Sequence, residues 1–336
     1  MLNMEYLPVP ISVNWNLTNL CNFECQHCYS KEIREKLEEM TNEEVTETIR
    51  KLKKDGVQFI TFGGGESLLR KDIWNILEEC NRNGIEFRII TNGYALDDNT
   101  CEKLKKFNIM ELLISLDGPC AKIHDNFRNK KGSFDKVISS IKLAQKYQIE
   151  IMVLTNINSY NKMLISEFCD LIEQLGIKKW RVNEIKELGN GDKNSEKLLI
   201  SPSELKKCHE QIYEFEKRGT CSILYDSVFA IYDSSSGYEK MLPGCHCGRM
   251  SLCIRANGDV LPCVYYNKIL GNVKKQSLLE IWEKSEELQL IRDKKAYGKC
   301  QTCKDFLNCR GGCFARTYLH YGDINHPDPL CWRNEK

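Results

Sequence analysis

The chain has 336 residues, enough for one large domain with a well-buried core and a smaller second domain. Its formal net charge is +1 and its charged residues are spread along the chain, so nothing indicates nucleic acid or a membrane surface as a partner. No apolar run approaches the ~18 residues of a membrane helix, and residues 1–10 lack the basic start and apolar core of a signal peptide. These features predict a cytoplasmic protein.

Strand and helix patterns alternate along the first 218 residues. Capping patterns at Thr41 and Ser201, each with a glutamate three residues later, mark two helix starts. Six strand-helix units in succession predict an α/β fold with a parallel sheet, a partial (β/α)6 TIM-type barrel over residues 1–218. The predicted strands are 11–17, 57–62, 87–93, 112–117, 149–154 and 180–184; the helices are 41–55, 72–83, 100–106, 133–148, 165–175 and 201–218, with a polar link at 188–197.

Cysteine is the residue type that stands out, with 18 in the chain. In a chain of this size without a signal peptide, such enrichment indicates metal ligation more often than disulfides. Most cysteines are clustered near the two ends of the chain. Those that stand alone are interpreted as buried hydrophobic residues or surface thiols: Cys80, Cys101, Cys120, Cys169, Cys208 and Cys221.

The first cluster is Cys21, Cys25 and Cys28, in the loop after the first predicted strand. Three thiolates can bind three irons of a 4Fe-4S cube and leave the fourth iron open. The spacing C-x3-C-x2-C, with His27 and Tyr29 flanking the last cysteine, resembles that of radical S-adenosylmethionine (SAM) enzymes. The resemblance implies that SAM chelates the fourth iron and is cleaved to a 5′-deoxyadenosyl radical, which takes a hydrogen atom from the substrate. A zinc site is the alternative, although zinc usually takes four ligands and C-x2-C pairs.

Polar residues also follow the second, third and fourth predicted strands, at the end of a parallel sheet where chemistry is expected. Gly64-Gly65-Glu66 resembles the family's Gly-Gly-Glu motif, which binds the amino group of SAM, although Ser67 stands where the family usually has proline. A bare backbone and an acceptor for an ammonium fit that role, but a tight turn is the plain alternative. The resemblance implies further SAM-binding residues, among them Tyr29, Asn92, Ser115, Asp117 and Arg128.

By this resemblance Ser115 and Arg128 contact the SAM carboxylate, and Asn92 or Asp117 lies near its ribose. The planar guanidinium of arginine suits a carboxylate. The alternative for Arg128 is a solvated charge in the basic run 128–131. His124 and Asp125 are predicted to form a structural hydrogen-bonded pair, with a catalytic role as the alternative.

The second cluster begins near residue 245, in a predicted small cysteine-rich domain at 219–336 that starts with a hairpin at 252–261. A helix at 278–293 separates its two halves. The pattern C-x10-G-x4-C, then C-x2-C-x5-C-x3-C and a last cysteine, resembles the SPASM extension of radical SAM enzymes. That resemblance implies two auxiliary 4Fe-4S clusters, the first on Cys247, Cys253, Cys263 and Cys313 and the second on Cys300, Cys303, Cys309 and Cys331.

Two points stay open in this domain. If Cys253 is not a ligand, the first auxiliary cluster keeps an open iron and Cys245 becomes a rival ligand. Zinc is again the alternative to iron. The sequence does not separate these cases.

The resemblance implies an enzyme, and the leading hypothesis is a maturase that oxidises or crosslinks a residue of a ribosomal peptide or protein, with flavodoxin or ferredoxin as electron donor. Sulfatase-maturing relatives carry an aspartate where Val264 stands, and the 20 residues before Cys21 are too few for a leader-binding domain. The alternative substrate is a small cofactor precursor, such as a tetrapyrrole that loses side chains; the non-enzymatic alternative is a zinc scaffold. No catalytic residue is assigned: Asn183, Glu184, Tyr265 and Tyr266 point towards the substrate region, but an ordinary packing or hydrogen-bonding role is the favoured explanation for each.

Overall fold

A computed structural model describes residues 5–31, 37–107, 109–227 and 242–334. Ten strands form one sheet, in the spatial order β10-β9-β8-β1-β2-β3-β4-β5-β6-β7. Each neighbouring pair from β1 to β7 is parallel. The strands are β1 Ser12–Thr18, β2 Phe59–Gly64, β3 Glu86–Thr91, β4 Ile109–Ser115, β5 Ile151–Ile157, β6 Lys179–Glu184, β7 Ser222–Tyr225, β8 Ser251–Ile254, β9 Asp259–Leu261 and β10 Gly271–Asn272.

Helices connect the parallel strands, which confirms the predicted α/β class. Most lie where the sequence places them. The helices are α1 Asn42–Lys54, α2 Ile73–Arg82, α3 Asp98–Leu104, α4 Ala121–Arg128, α5 Ser133–Lys146, α6 Ile165–Gln174, α7 Asn190–Lys193, α8 Ser195–Leu198, α9 Pro202–Glu216, α10 Leu278–Lys284, α11 Glu286–Arg292, α12 Phe306–Cys309 and α13 Phe314–Tyr321.

The two predicted capping boxes are both present. The Thr41 hydroxyl accepts from the Glu44 N–H while the Glu44 carboxylate accepts from the Thr41 N–H, and Ser201 and Glu204 repeat this arrangement. Each box satisfies N–H groups that a helix start otherwise leaves without a partner. These local signals explain why α1 and α9 begin where the sequence predicts.

The sequence analysis missed three short helices and one break in a helix. The missed helices are α4 and, in the polar link, α7 and α8. The single helix expected at 278–293 is two helices, because the Ser285 hydroxyl accepts from the Leu288 N–H and starts α11 one residue after α10 ends. A side chain that competes for backbone N–H groups favours such a break.

The C-terminal region is part of the same sheet. The predicted hairpin is present as β8 and β9, and β8 runs parallel to β1 with Ser12 opposite Ser251. At the other edge, β7 is parallel to β6, so parallel strands continue past the predicted domain boundary at 218/219, which stays a prediction. The cysteine-rich region therefore lies beside the strand that leads into the first cysteine cluster.

Large apolar side chains fill the core between sheet and helices, including Trp15, Phe62, Phe87 and Trp180, each at most 1% exposed. The Trp180 indole N–H, which would otherwise be buried without a partner, donates to the Thr155 hydroxyl at 2.8 Å. Among the described residues, no helix combines the length and apolar character needed to cross a membrane.

Candidate active site and cysteine clusters

The first three cysteines lie in the loop of residues 19–30, called the cysteine loop, directly after β1. Cys25 is buried, and Cys21 and Cys28 are partly exposed. The end of α4 holds this loop: the Gln26 N–H donates to the Phe127 carbonyl, and the His27 and Phe127 rings stack with centroids 4.1 Å apart. The loop is therefore fixed from one side by residues about a hundred positions away.

The polar link fixes the other side. Asn190 donates from its backbone N–H to the Cys28 carbonyl at 2.9 Å and from its side chain to the Cys25 carbonyl at 3.0 Å. Gly189 has φ +59°, and a Cβ there would lie 2.6 Å from the Tyr29 carbonyl oxygen. The sequence showed these residues only as a polar connection, because no short pattern indicates a hydrogen bond to a carbonyl 165 positions away.

Burial raises the pKa of the Cys25 thiol to about 12, although the Arg128 guanidinium lowers it. Iron binds the thiolate and not the thiol. The positive charge of the iron atoms would therefore lower the pKa of Cys25 and favour its thiolate form. The donor chemistry thus fits a 4Fe-4S cluster held by Cys21, Cys25 and Cys28.

The glycine motif after β2 is tied to the same loop. The Gly65 N–H donates to the Thr18 carbonyl at 2.8 Å, and the Glu66 N–H donates to the Leu20 carbonyl at 2.7 Å. Gly64 has φ +100° and a Cβ there would lie 2.8 Å from the Thr18 carbonyl, so only glycine allows this close approach. The motif therefore sets the distance between β2 and the cysteine loop.

Glu66 is a buried carboxylate, 1% exposed, with neutral partners: the Thr91 hydroxyl and the Asn92 N–H each donate to it at 2.8 Å. Burial raises the pKa of Glu66 to about 7, although these two hydrogen bonds lower it. A cation beside this buried carboxylate would stabilise its ionised form, and the ammonium group of SAM can supply that charge.

Four of the other residues predicted to bind SAM lie at the ends of β3, β4 and α4. The Asn92 amide donates to the Asn22 side chain at 2.8 Å, which links β3 to the cysteine loop. Ser115 is the last residue of β4 and is buried. Asp117 and Arg128 form a buried ion pair at 2.5 Å. Arg128 is therefore not a solvated charge, which excludes that alternative.

The expected hydrogen-bonded pair of His124 and Asp125 was wrong, because each side chain has other hydrogen-bond partners. The His124 ring nitrogen accepts from the Asp117 N–H at 3.1 Å. Asp125 instead accepts from the Gly132 and Phe134 N–H groups and from the Ser133 hydroxyl. The two side chains lie on different faces of α4 because they are adjacent in a helix.

Tyr29 connects the cysteine loop to the C-terminal region. Its hydroxyl donates to the Asn16 side chain at 3.1 Å, and its ring packs edge-to-face on Tyr265 with centroids 4.9 Å apart. The Lys186 ammonium lies 5.3 Å from the Tyr265 ring centroid. These three side chains form a wall, here called the aromatic wall, between the cysteine loop and the C-terminal cysteines.

The cysteines predicted to hold the second auxiliary cluster line one enclosed cavity. Gly311, Gly312 and Asp328 line it as well. Four thiols around one small space fit a cube in which each thiolate binds a different iron. The four are Cys300, Cys303, Cys309 and Cys331.

The cysteines that lie together as ligands for the first auxiliary cluster differ in one member from those predicted from the sequence. Cys247 is in thiol contact with both Cys245 and Cys263, and Cys313 is close enough to raise the pKa of both Cys247 and Cys263. Cys253 instead lies on β8, buried, with its sulfur 3.8 Å from the Ile254 carbonyl oxygen. The structure thus brings Cys245, not Cys253, to this group.

In the described ranges, no three or more His, Cys, Asp or Glu side chains have the geometry of a site for a single metal ion. Cube ligands do not converge on one point, because each binds its own iron. The cysteine groups above have that more open arrangement.

A buried ion network lies between the aromatic wall and the C-terminal cysteines, and the sequence carried no signal for it. Arg316 donates to Glu184 at 2.7 Å and to Asp328 at 2.9 Å, and Asp328 in turn accepts from the Cys313 N–H at 2.8 Å. Glu184, proposed from the sequence as facing the substrate, is therefore a structural residue of β6. Charged groups this deeply buried require such pairing.

The other sequence-proposed residues also have structural partners. Asn183 accepts from the Arg181 guanidinium at 3.1 Å. Tyr266 is 1% exposed and its hydroxyl bonds to Glu287. Of the four residues that pointed towards the substrate, Tyr265 lies in the aromatic wall and is only partly buried.

Comparison with known proteins gives two family matches: the radical SAM superfamily over residues 15–175 and an iron-sulfur cluster-binding SPASM domain over residues 245–304. The chain is 29% identical to the AdoMet-dependent heme synthase of Methanosarcina barkeri, over 96% of each chain. It is 27% identical to the mycofactocin maturase MftC of Mycolicibacterium smegmatis, over 97% of this chain and 83% of MftC. The fold matches that of Streptococcus suis SuiB bound to the precursor peptide SuiA, with a TM-score of 0.80, 20% identity and coverage of 98% and 77% of the two chains.

Proposed function

Because this chain belongs to the radical SAM superfamily and carries a SPASM domain, we propose that it abstracts a hydrogen atom from a residue of a ribosomally made peptide or protein, as a step in its maturation. It is an enzyme that uses SAM and 4Fe-4S clusters. When bound, the SAM-binding cluster supplies the electron that cleaves SAM to a 5′-deoxyadenosyl radical. The protein's part is to hold SAM and position the substrate beside it.

The SAM-binding side chains and the three cysteine groups each have a role in this proposal. Glu66 takes the SAM ammonium, while Ser115, Asp117, Asn92 and Arg128 surround the rest of the ligand. The SAM-binding cluster is on Cys21, Cys25 and Cys28; the first auxiliary cluster is on Cys245, Cys247, Cys263 and Cys313, and the second is on Cys300, Cys303, Cys309 and Cys331.

The observation that favours a peptide substrate is that the cations beside the aromatic wall are already paired with carboxylates. Asp226 pairs with both Lys186 and Arg181, at 3.1 Å each, and Arg316 is paired with Glu184 and Asp328. These cations already have carboxylate partners. A peptide segment needs hydrogen bonds and apolar contacts here, whereas a substrate with several carboxylates would have to break existing ion pairs. The likeness to the maturase MftC supports the same choice.

A second candidate is the modification of a tetrapyrrole side chain. It is favoured by the likeness to the heme synthase of M. barkeri, which extends over nearly the whole of both chains. Arg181, whose side chain is 36% exposed, is the cation of this region that a propionate could reach. Binding of a propionate to Arg181 would then require the Arg181–Asp226 ion pair to break.

We further propose a flavodoxin or ferredoxin as the electron donor and the cytoplasm as the location. Both follow from the need for a low-potential electron and for clusters protected from oxygen. Reduction of the reconstituted enzyme by flavodoxin with its reductase tests the first of these.

The test of function is 5′-deoxyadenosine formation by anaerobically reconstituted enzyme with SAM and a chemical reductant. One arm contains a peptide encoded beside the gene, and the other contains an iron porphyrin with propionate side chains. The proposal predicts that the peptide raises 5′-deoxyadenosine above the substrate-free rate and changes in mass. Turnover of the porphyrin without turnover of the peptide would overturn it in favour of the second candidate.

A further inference from the structure

Arg128, the last residue of α4, is buried between an acid and a cysteine sulfur. Its Nε and Nη2 atoms both donate to Asp117 Oδ2 at 2.5 Å. Its Nη1 atom, on the other side of the guanidinium, lies 3.9 Å from the Cys25 sulfur. One planar group therefore spans from a carboxylate to a cysteine of the predicted SAM-binding cluster.

The surroundings fix the guanidinium in this orientation. The second oxygen of Asp117 accepts from the Asn156 N–H at 2.7 Å, so the carboxylate cannot turn freely. The neighbouring residue Phe127 stacks on His27 and accepts from the Gln26 N–H, which holds the end of α4 against the cysteine loop. Arg128 is thus positioned by the protein before any ligand enters.

The position has an electrostatic consequence. Reduction adds negative charge to a cluster, and hydrogen bonds or cations at its sulfurs stabilise the reduced state. The positive edge of the pair faces Cys25, while Asp117 lies on the far side of the guanidinium. By comparison, the neighbour of the Cys28 sulfur is the neutral Ser30 hydroxyl, at 3.6 Å.

We propose that Arg128 is a positioning residue that donates to the Cys25 sulfur and raises the reduction potential of the SAM-binding cluster. This role is separate from contact with SAM, because it acts when SAM is absent. It rests on the assignment of Cys21, Cys25 and Cys28 as ligands of that cluster. It does not depend on which substrate the enzyme takes.

The experiment is a redox titration of the full reconstituted enzyme without SAM, followed by electron paramagnetic resonance. The signal that is missing in a Cys21/Cys25/Cys28→Ala variant identifies the SAM-binding cluster, and if no signal is lost, the ligand assignment itself has failed. With the assignment intact, Arg128→Gln is expected to lower the midpoint of that signal, and Arg128→Lys to lower it less. Ser115→Ala is the matched comparison: it is expected to weaken SAM binding and leave the SAM-free midpoint unchanged.

An unchanged midpoint in Arg128→Gln at full iron content would overturn the proposal and leave Arg128 as a ligand for SAM alone. Should that variant fail to retain iron, Arg128→Lys gives the test, because its ammonium keeps the positive charge but lacks the planar donor group that reaches both Asp117 and Cys25. Its midpoint is expected to lie below that of the wild type. An unchanged or higher midpoint in Arg128→Lys would contradict the proposal equally.

Discussion

The cysteine loop and the C-terminal cysteine groups are held in place by different interactions. The cysteine loop depends on neutral backbone hydrogen bonds, such as those from the Asn190 side chain to the Cys25 carbonyl and from the Gln26 N–H to the Phe127 carbonyl. The C-terminal groups depend on buried charge, since Asp328 accepts from the Cys313 N–H and is paired with Arg316. A contiguous loop needs only a few neutral hydrogen bonds to neighbouring segments, whereas the cysteines from separate segments are brought together beside buried ion pairs.

The largest expected difference concerns the choice of ligand in the C-terminal region. Cys245→Ala is expected to remove one whole auxiliary cluster, about four irons per chain. Cys253→Ala is the matched control, because it removes the same side chain at a site where no other thiol acts on it. Iron and sulfide analysis after anaerobic reconstitution measures both. Loss of iron in Cys253→Ala but not in Cys245→Ala would restore the sequence-based ligand set.

The next effect concerns the buried charges. Arg316→Met removes the guanidinium that Glu184 and Asp328 share, which is expected to cost about 3–5 kcal/mol of stability. Arg82→Met breaks an exposed pair with Glu78 and is expected to cost at most about 1 kcal/mol. Chemical denaturation of the reconstituted protein compares the two. Similar losses in both variants would show that the network does not stabilise the C-terminal region.

A smaller effect is expected from protonation of Glu66. Burial raises its pKa to about 7, so the carboxylate is increasingly protonated below that pH and cannot attract an ammonium. SAM affinity is therefore expected to fall by up to about tenfold per pH unit below pH 7, a dependence that Glu66→Gln removes. Glu216→Gln is the control, because burial also raises the pKa of Glu216 but its partner is the Ile223 N–H. Calorimetric titration with SAM from pH 6 to 8 tests this, and the same pH slope in Glu66→Gln would assign the dependence to another group.

The smallest effect is expected in the cysteine loop. Asn190→Ala removes one neutral hydrogen bond to the Cys25 carbonyl and is expected to cost about 1 kcal/mol. It is also expected to speed the loss of iron to a chelator from the SAM-binding cluster alone. Asn75→Ala, at an exposed position of α2, is expected to change neither property. Equal chelation rates in Asn190→Ala and wild type would show that the link does not hold the loop.

Local features could be predicted from the sequence. The cysteine spacing at 21–28, the glycine motif at 64–66 and the capping boxes at Thr41 and Ser201 all act within a few residues, so a short pattern records them. The hairpin at 252–261 belongs to the same class.

Features that join distant segments could not be predicted. Cys245 and Cys253 both stand near Cys247 in the sequence, and only the course of β8 beside β1 separates them in space. The Arg316–Glu184 pair joins residues 132 positions apart, and neither side chain differs in sequence from an ordinary surface charge. Contacts between residues so far apart leave no short pattern in the sequence.

The most direct test of the account is the iron and sulfide content of the anaerobically reconstituted wild type and of the Cys21/Cys25/Cys28→Ala variant. One SAM-binding and two auxiliary clusters predict about twelve irons per chain, falling to about eight in the variant, which should form no 5′-deoxyadenosine. A wild type with about four irons and bound zinc would contradict the account, because the C-terminal cysteines would then form a zinc-binding structural domain.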